Sequence, residues 1–262
     1  GAHASTGADD RTTSAHAIRT LDALAAALIR KAFLFVPAAM SRPLLGEAAL
    51  ADWPAFAQSW DRLELDTYMG DGGRYRRRRY ATLAAAAHSS DLRAQPHQPH
   101  YQSLDYNRLN GGIARHFAPV EEAVVAGPAM RAALSAGLAF FQALHPGRAA
   151  HIEVHQFRIE ARAGSVGQPT PEGKHRDGVD FVLVMMVRRS NVASGTTEIF
   201  DTAGRRVDSF TLTEPGDMAL VEGTRVHFIG RNGDMIKTAG ANVSPAEVEM
   251  EMQSLDGIHN AY

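Results

Sequence analysis

The sequence contains no cysteine. That excludes disulfides, thiolate metal sites and cysteine nucleophiles, so a metal here must be held by histidine and carboxylate. Such a donor set suits iron(II) and similar first-row ions. Charge of one sign is lacking too. The 27 Lys and Arg stand against 29 Asp and Glu, a net charge of −2, which leaves no global footprint for nucleic acid. Long apolar runs are also missing. None reaches the roughly 18 residues of a membrane span, and Arg30 and Lys31 interrupt the apolar stretch 24–40, as a signal sequence would not allow. The expectation is a cytoplasmic protein with neither membrane nor nucleic acid as partner.

What is present suits a globular chain: 262 residues, 45% hydrophobic and 21% charged, enough for a large core without staples. Residues 1–13 are small and polar and are expected to stay outside it. The N-terminal half reads as helical. Ile18, Leu21, Leu24, Leu28 and Ile29 form an amphipathic stripe, with Ser14 as N-cap. A second helix is expected within 48–65, where Leu50, Trp53, Ala57 and Trp60 mark one face and Pro54 argues for a start close to it. A third is expected over Pro128–Leu144, with Met130, Leu134, Leu138 and Phe141 in register and Pro146-Gly147 as the stop. From His151 onward the texture changes to short β segments. The run 181–187, Phe-Val-Leu-Val-Met-Met-Val, reads as a fully buried strand. Segments 197–201, 209–212, 218–221 and 226–229 follow between Gly, Pro and Asn. This pattern predicts an α+β chain whose strands form a jelly roll with helices packed outside.

His175-Arg176-Asp177 carries the candidate metal chemistry. In an extended chain, residues i and i+2 point the same way, so an imidazole and a carboxylate can reach one ion. A third ligand from a distant strand would complete a facial triad and leave positions for a cosubstrate and O2. His227, opening a short β segment, is the candidate. Among 12 histidines the pattern alone is weak. Its place between a Gly/Pro-rich loop and the most apolar strand strengthens it, because barrel mouths are where ligands sit. Other residues read more plainly. His97 and His100 fall in a Pro-rich loop and read as solvated. His155 reads as a hydrogen-bonded structural histidine, with pocket lining as the alternative. Arg74 and Arg76 to Arg79, flanking Tyr75 and ended by Tyr80, read as a solvated face or edge strand.

Several segments together resemble a known family. They are His155-Gln156-Phe157-Arg158-Ile159, Pro171-Glu172-Gly173, His175-Arg176-Asp177-Gly178 and the buried strand after it. Upstream, His100-Tyr101-Gln102-Ser103-Leu104-Asp105-Tyr106-Asn107, Gly111-Gly112, Arg115, Phe117 and the Arg74–Tyr80 segment belong to the same likeness. Over about residues 15–225 the chain resembles the bacterial 2OG-Fe dioxygenases. These include hydroxylases of free amino acids such as isoleucine, and the BsmA-like proteins associated with biofilm and motility. The resemblance implies a double-stranded β-helix (cupin-like) with packed N-terminal helices, iron(II), and 2-oxoglutarate and O2 as cosubstrates. It implies His175 and Asp177 as metal ligands and a small-molecule substrate. It also implies a structural role for the arginine run. Gln156 and Arg158, two polar residues of like facing on an apolar strand, are expected to bind substrate or cosubstrate.

The end of the chain departs from that family. The family pattern places the distal histidine one residue beyond His227 and an Arg for 2-oxoglutarate on a final strand. Here the sequence from Arg225 to Tyr262, including Gly230-Arg231, Asp234-Met235-Ile236-Lys237 and Pro245-Ala246-Glu247-Val248-Glu249, resembles the hinge motif of adenylate-forming acyl-CoA synthetases. The expected division is a dioxygenase-like domain over 1–226 and an atypical tail over 227–262. Arg231 and Lys237 become candidates for the 2-oxoglutarate carboxylate by charge alone. Beside the hydroxylase reading stand a catalytically weak binding protein of the same fold and a cupin-like isomerase using another metal or none.

Overall fold

The computed structural model describes residues 6–161, 178–192, 195–232 and 244–254. Helices come first: α1 (Thr6–Lys31), then the short strand β1 (Phe33–Val36), α2 (Ala38–Leu45), α3 (Glu47–Gln58) and a 3₁₀ turn (Ser59–Arg62). Strands β2 (Glu64–Leu65), β3 (Arg76–Ala85), β4 (Arg93–Ala94), β5 (His100–Tyr101) and β6 (Ala114–Arg115) follow. After α4 (Glu122–Val125) and α5 (Pro128–Leu144) come β7 (Ala150–Ile159), β8 (Phe181–Ser190), β9 (Thr196–Asp201) and β10 (Arg206–Thr211). The last are β11 (Met218–Glu222), β12 (Val226–Asn232) and β13 (Ser244–Ser254).

The large sheet runs β1-β11-β8-β13-β7-β3-β2, with β4 on β3, and the smaller one runs β10-β9-β12. All their strand pairs are antiparallel. Side chains alternate across a strand, and the large sheet uses both faces. Phe181, Leu183 and Met185 of β8 join Ile152, Val154, Met250 and Met252 in a core with Met130, Leu134, Leu138 and Phe141 of α5. Val182, Val184 and Met186 point the other way. They pack with Ala219, Val221, Ile199, Leu212 and Val226 between the two sheets. This explains why 181–187 is apolar without interruption. The architecture is the expected α+β sandwich of two sheets with helices outside.

Several local expectations shift. α1 begins at Thr6, so Ser14 lies inside it. Pro54 lies within α3 rather than near its start. The carbonyl it cannot serve belongs to Leu50, which is exposed, so water can satisfy it. The helix expected to 65 ends at Gln58 and turns through Ser59–Arg62 into β2. α5 spans the predicted residues, with Pro at its start. The boundary expected at 226 falls at the start of β12, and β13 lies between β7 and β8. Among the described residues, no helix is long and apolar enough to cross a membrane.

Candidate active site

The inner face of the large sheet is apolar over β8 and β11 but polar over β7 and β3. The register pairs Arg78 with Phe157, Tyr80 with His155 and Thr82 with Glu153. The opposite parity, Leu83, Ile152 and Val154, packs into the helical core. A hairpin of β5 and β6 sets His100 against Arg115. The result is a cluster of buried polar side chains: Arg76, Arg78, His100, Arg115 and His155, with Glu153 at its centre.

Each histidine in this cluster has a fixed proton. Arg78 Nη2 lies 2.7 Å from His155 Nδ1, and Arg115 Nη2 lies 2.8 Å from His100 Nδ1. A guanidinium only donates, so both Nδ1 atoms accept. The ring proton of each neutral imidazole is then on Nε2. Those Nε2 atoms face the Glu153 carboxylate, at 3.5 Å from His100 and 4.0 Å from His155. Tyr80 donates its hydroxyl to Glu153 Oε1 at 3.0 Å. Arg115 also reaches Gln102 Oε1 at 3.0 Å. The rings of Phe117 and Phe157 carry the guanidiniums: Arg78 Cζ sits 3.6 Å from the first centroid and 4.6 Å from the second, and Arg115 Cζ sits 5.5 Å from the first. Asp66 closes one side, with Arg76 Nε donating to it at 2.9 Å and Arg78 Nη1 forming an ion pair with it at 3.6 Å.

Burial sets the charges. It lowers the pKa of His100 and, further, of His155, and the neighbouring arginines push the same way. Burial opposes ionisation of Glu153, but the neighbouring His100, His151 and His155 rings outweigh it and hold the carboxyl well below the usual range. Asp66 is lowered likewise, by Arg76 and Arg78 against its burial. The centre is thus a carboxylate between two neutral imidazoles, each backed by a cation.

One nitrogen of His100, one of His155 and one oxygen of Glu153 lie within 4.8 Å of one another. Two histidines and a carboxylate have the donor composition of a facial triad. Their proton positions do not match one. A metal-bound neutral imidazole donates its second N–H to an acceptor, whereas here that second nitrogen accepts from arginine. The set fits iron in composition only, and binding there requires the arginines to move.

The residues singled out in the sequence fall in different places. His175 and Asp177 lie outside the described residues, as do Pro171-Glu172-Gly173 and Lys237. The chain resumes at Gly178, with a φ of 72°. A Cβ on it would stand 3.0 Å from the Tyr106 ring. The loop 102–113 therefore lies against the residue that follows Asp177. His227 pairs with half-buried Phe200 in β9, while Val226 is buried between the sheets and Phe228 pairs with buried Ile199. Arg231 lies on β12, where the pairing with β9 is irregular.

Gln156 and Arg158 are both on β7. They do share a face, but it is the one turned to the helices. Gln156 Nε2 donates to Ser59 Oγ at 3.0 Å, and Arg158 pairs with Glu160 at 3.1 Å and approaches Asp61 at 3.7 Å. They lie on the opposite parity to His155, so the structure does not bring them to the cluster. His100 is buried rather than solvated, and the arginine run is split by alternation, with Arg76 and Arg78 inside. His155 is hydrogen-bonded, as expected, and faces the cluster. Sequence reasoning missed Glu153 as its centre. The available signal was the alternation His151-x-Glu153-x-His155, which puts three polar groups on one face of an otherwise apolar strand.

Comparison with known proteins matches this architecture. A family model described as 2OG-Fe dioxygenase matches residues 57–230. A BsmA homolog from Methylobium petroleophilum PM1 superposes with a TM-score of 0.80 at 31% identity, over 89% of this chain and 93% of that one. IDO from Bacillus thuringiensis superposes with a TM-score of 0.74 at 16% identity, over 89% and 99%. The Fe(II)/(alpha)ketoglutarate-dependent dioxygenase TqaL gives 0.72 at 16%, over 92% and 89%. These last two support the fold. No curated protein sequence matches the chain.

Proposed function

Because this chain belongs to the 2OG-Fe dioxygenase family, with iron(II) and 2-oxoglutarate as that family's cofactor and cosubstrate, we propose that it hydroxylates a small polar molecule, a free L-amino acid. The family match across residues 57–230 carries this reading. The sequence resemblance to amino-acid hydroxylases supports the substrate class. When bound, iron with 2-oxoglutarate and O2 supplies the oxidation: a substrate C–H becomes C–OH, while 2-oxoglutarate and the second oxygen atom leave as succinate and CO2. The protein's share is to position the substrate and to exclude water. Succinate is expected to form from 2-oxoglutarate in the presence of iron(II), and to rise when the right member of an L-amino-acid panel is added. Iron binding without succinate from any member would favour the weak binding protein of the same fold.

We place the iron at His175 and Asp177, with His227 as the third ligand. The one-residue offset of position 227 from the family pattern makes it the weakest of the three. Iron content after anaerobic loading is expected to collapse in His175→Ala and Asp177→Ala and to fall less in His227→Ala. A second reading puts the iron at His100, Glu153 and His155, favoured by their donor composition. It predicts the reverse: iron lost in Glu153→Gln and kept in Asp177→Ala.

A further inference from the structure

The loop between β5 and β6 is built with its polarity reversed. Asn107 and Asn110 are buried, while Leu104, Ile113, Tyr101, Tyr106 and Leu109 keep relative exposures of 57%, 53%, 46%, 40% and 36%. Among the described residues, five of the nine exposed large apolar side chains lie in this one segment, 101–113, so the exposure is a local feature and not the scatter found on any surface. Polar contacts hold the loop in shape. Asn110 Oδ1 accepts from Gly70 N at 2.6 Å, Asn107 Oδ1 from Asn110 N at 2.7 Å, and Gln102 Oε1 from Asn107 Nδ2 and Arg115 Nη2, both at 3.0 Å. Gly111 N and Gly112 N donate to Asn107 O and Gln102 O at 2.8 and 2.7 Å. These bonds order the backbone and leave the apolar side chains presented on it.

The place of the loop says what those side chains meet. At its base, His100 and Arg115 reach into the polar cluster around Glu153. Further out, the Tyr106 ring lies over Gly178, where a Cβ would stand 3.0 Å from it, one residue from the candidate ligand Asp177. Leu104 covers Gly112 in the same way. One hairpin thus joins a polar floor to an apolar rim just ahead of β8. A ligand that suits both is amphiphilic, with a charged head and an apolar tail. Apolar groups held on an ordered backbone receive such a tail at little ordering cost. We propose that loop 101–113 is the specificity element of the site, and that Leu104 and Tyr106 receive the apolar side chain of the amino-acid substrate. The proposal rests on the dioxygenase reading for the kind of substrate, and it narrows that class to amino acids with an apolar side chain.

The test uses the full-length protein with iron(II) and 2-oxoglutarate in the absence of oxygen, so that binding is read without turnover. Calorimetric titration with L-alanine, L-2-aminobutyrate, L-norvaline and L-norleucine should show affinity rising about two- to fourfold per added methylene. That slope should vanish in Leu104→Asn and Tyr106→Asn and be kept in Tyr106→Phe. Leu104 and Tyr106 are both exposed, so the variants are expected to melt close to the wild type. Methyl NMR of ¹³C-labelled wild type gives a reading that needs no variant: the Leu104 and Ile113 methyls should shift with L-norleucine and not with L-alanine. A flat series in the wild type, or a slope kept in both Asn variants, overturns the proposal. If the flat series comes with a dimer in sedimentation that Leu104→Asn dissolves, the loop serves a second copy of this chain instead. Succinate formed with any L-amino acid alongside a flat series would sink the role of the loop and leave hydroxylation standing. A loop-dependent slope without succinate would do the reverse.

Discussion

A guanidinium carries five N–H donors and no acceptor, so an imidazole nitrogen facing one must give up its own proton. Two arginines thereby settle the tautomers of His100 and His155. The same contacts make the pair sensitive to acid. Both histidines have folded-state pKa values below the ordinary 6.5. Below pH 6.5 the unfolded chain takes up protons that the folded chain refuses, so stability falls as pH falls, by at most about 1.4 kcal/mol per pH unit for each histidine. Glu153 and Asp66, lowered from 4.5 and 3.8, add stability that is present above those values and lost further down. The melting temperature is expected to drop between pH 7 and pH 5. Scanning calorimetry across that range checks this, and His155→Gln should flatten the curve. A melting temperature constant from pH 7 to pH 5 would rule the mechanism out.

At the scale of single elements, helix α5 and strand β13 meet at Gly137. A Cβ there would stand 2.8 Å from the terminal methyl of Met252, which is the free end of a flexible side chain. Gly137→Ala removes a helix-interior glycine, a gain of up to about 1 kcal/mol. With Met252 able to turn aside, urea denaturation should show no loss of stability. Met250, like Met252, is fully buried in the core that α5 shares with β8. Met250→Ala is expected to cost about 2–5 kcal/mol. Helix α5 was legible because its signals are local: a proline start, a 3.6-residue stripe and a Pro-Gly stop. The β8 run was legible because both of its faces are buried. What stayed hidden depends on partners far away in sequence. His100 sits among prolines that suggest a solvated loop, and only Arg115 and Glu153 bury it. Arg76 and Arg78 sit in a run whose charge suggests solvent, although its alternation already separates them from Arg77 and Arg79. The facing of Gln156 and Arg158 was undecidable, because like facing does not say which face.

For the whole molecule, cofactor binding and stability are linked. A ligand that binds only the folded state stabilises it by about 2.7 kcal/mol at a hundred times its dissociation constant. The melting temperature should therefore rise when iron(II) and 2-oxoglutarate are added together without oxygen. Asp177→Ala should lose that response, as thermal-shift titration can show.

The position of β13 has one more consequence. Residues 244–254 fill the gap between β7 and β8, two strands that leave the ribosome before them. Until that segment emerges, β7 and β8 each present an open edge, a template for pairing with other chains. The nascent polypeptide must hold both edges apart through the synthesis of β9 to β12, so closure of the main sheet waits for β13. Slow production or chaperone capture at this stage should decide how much of the protein is recovered intact.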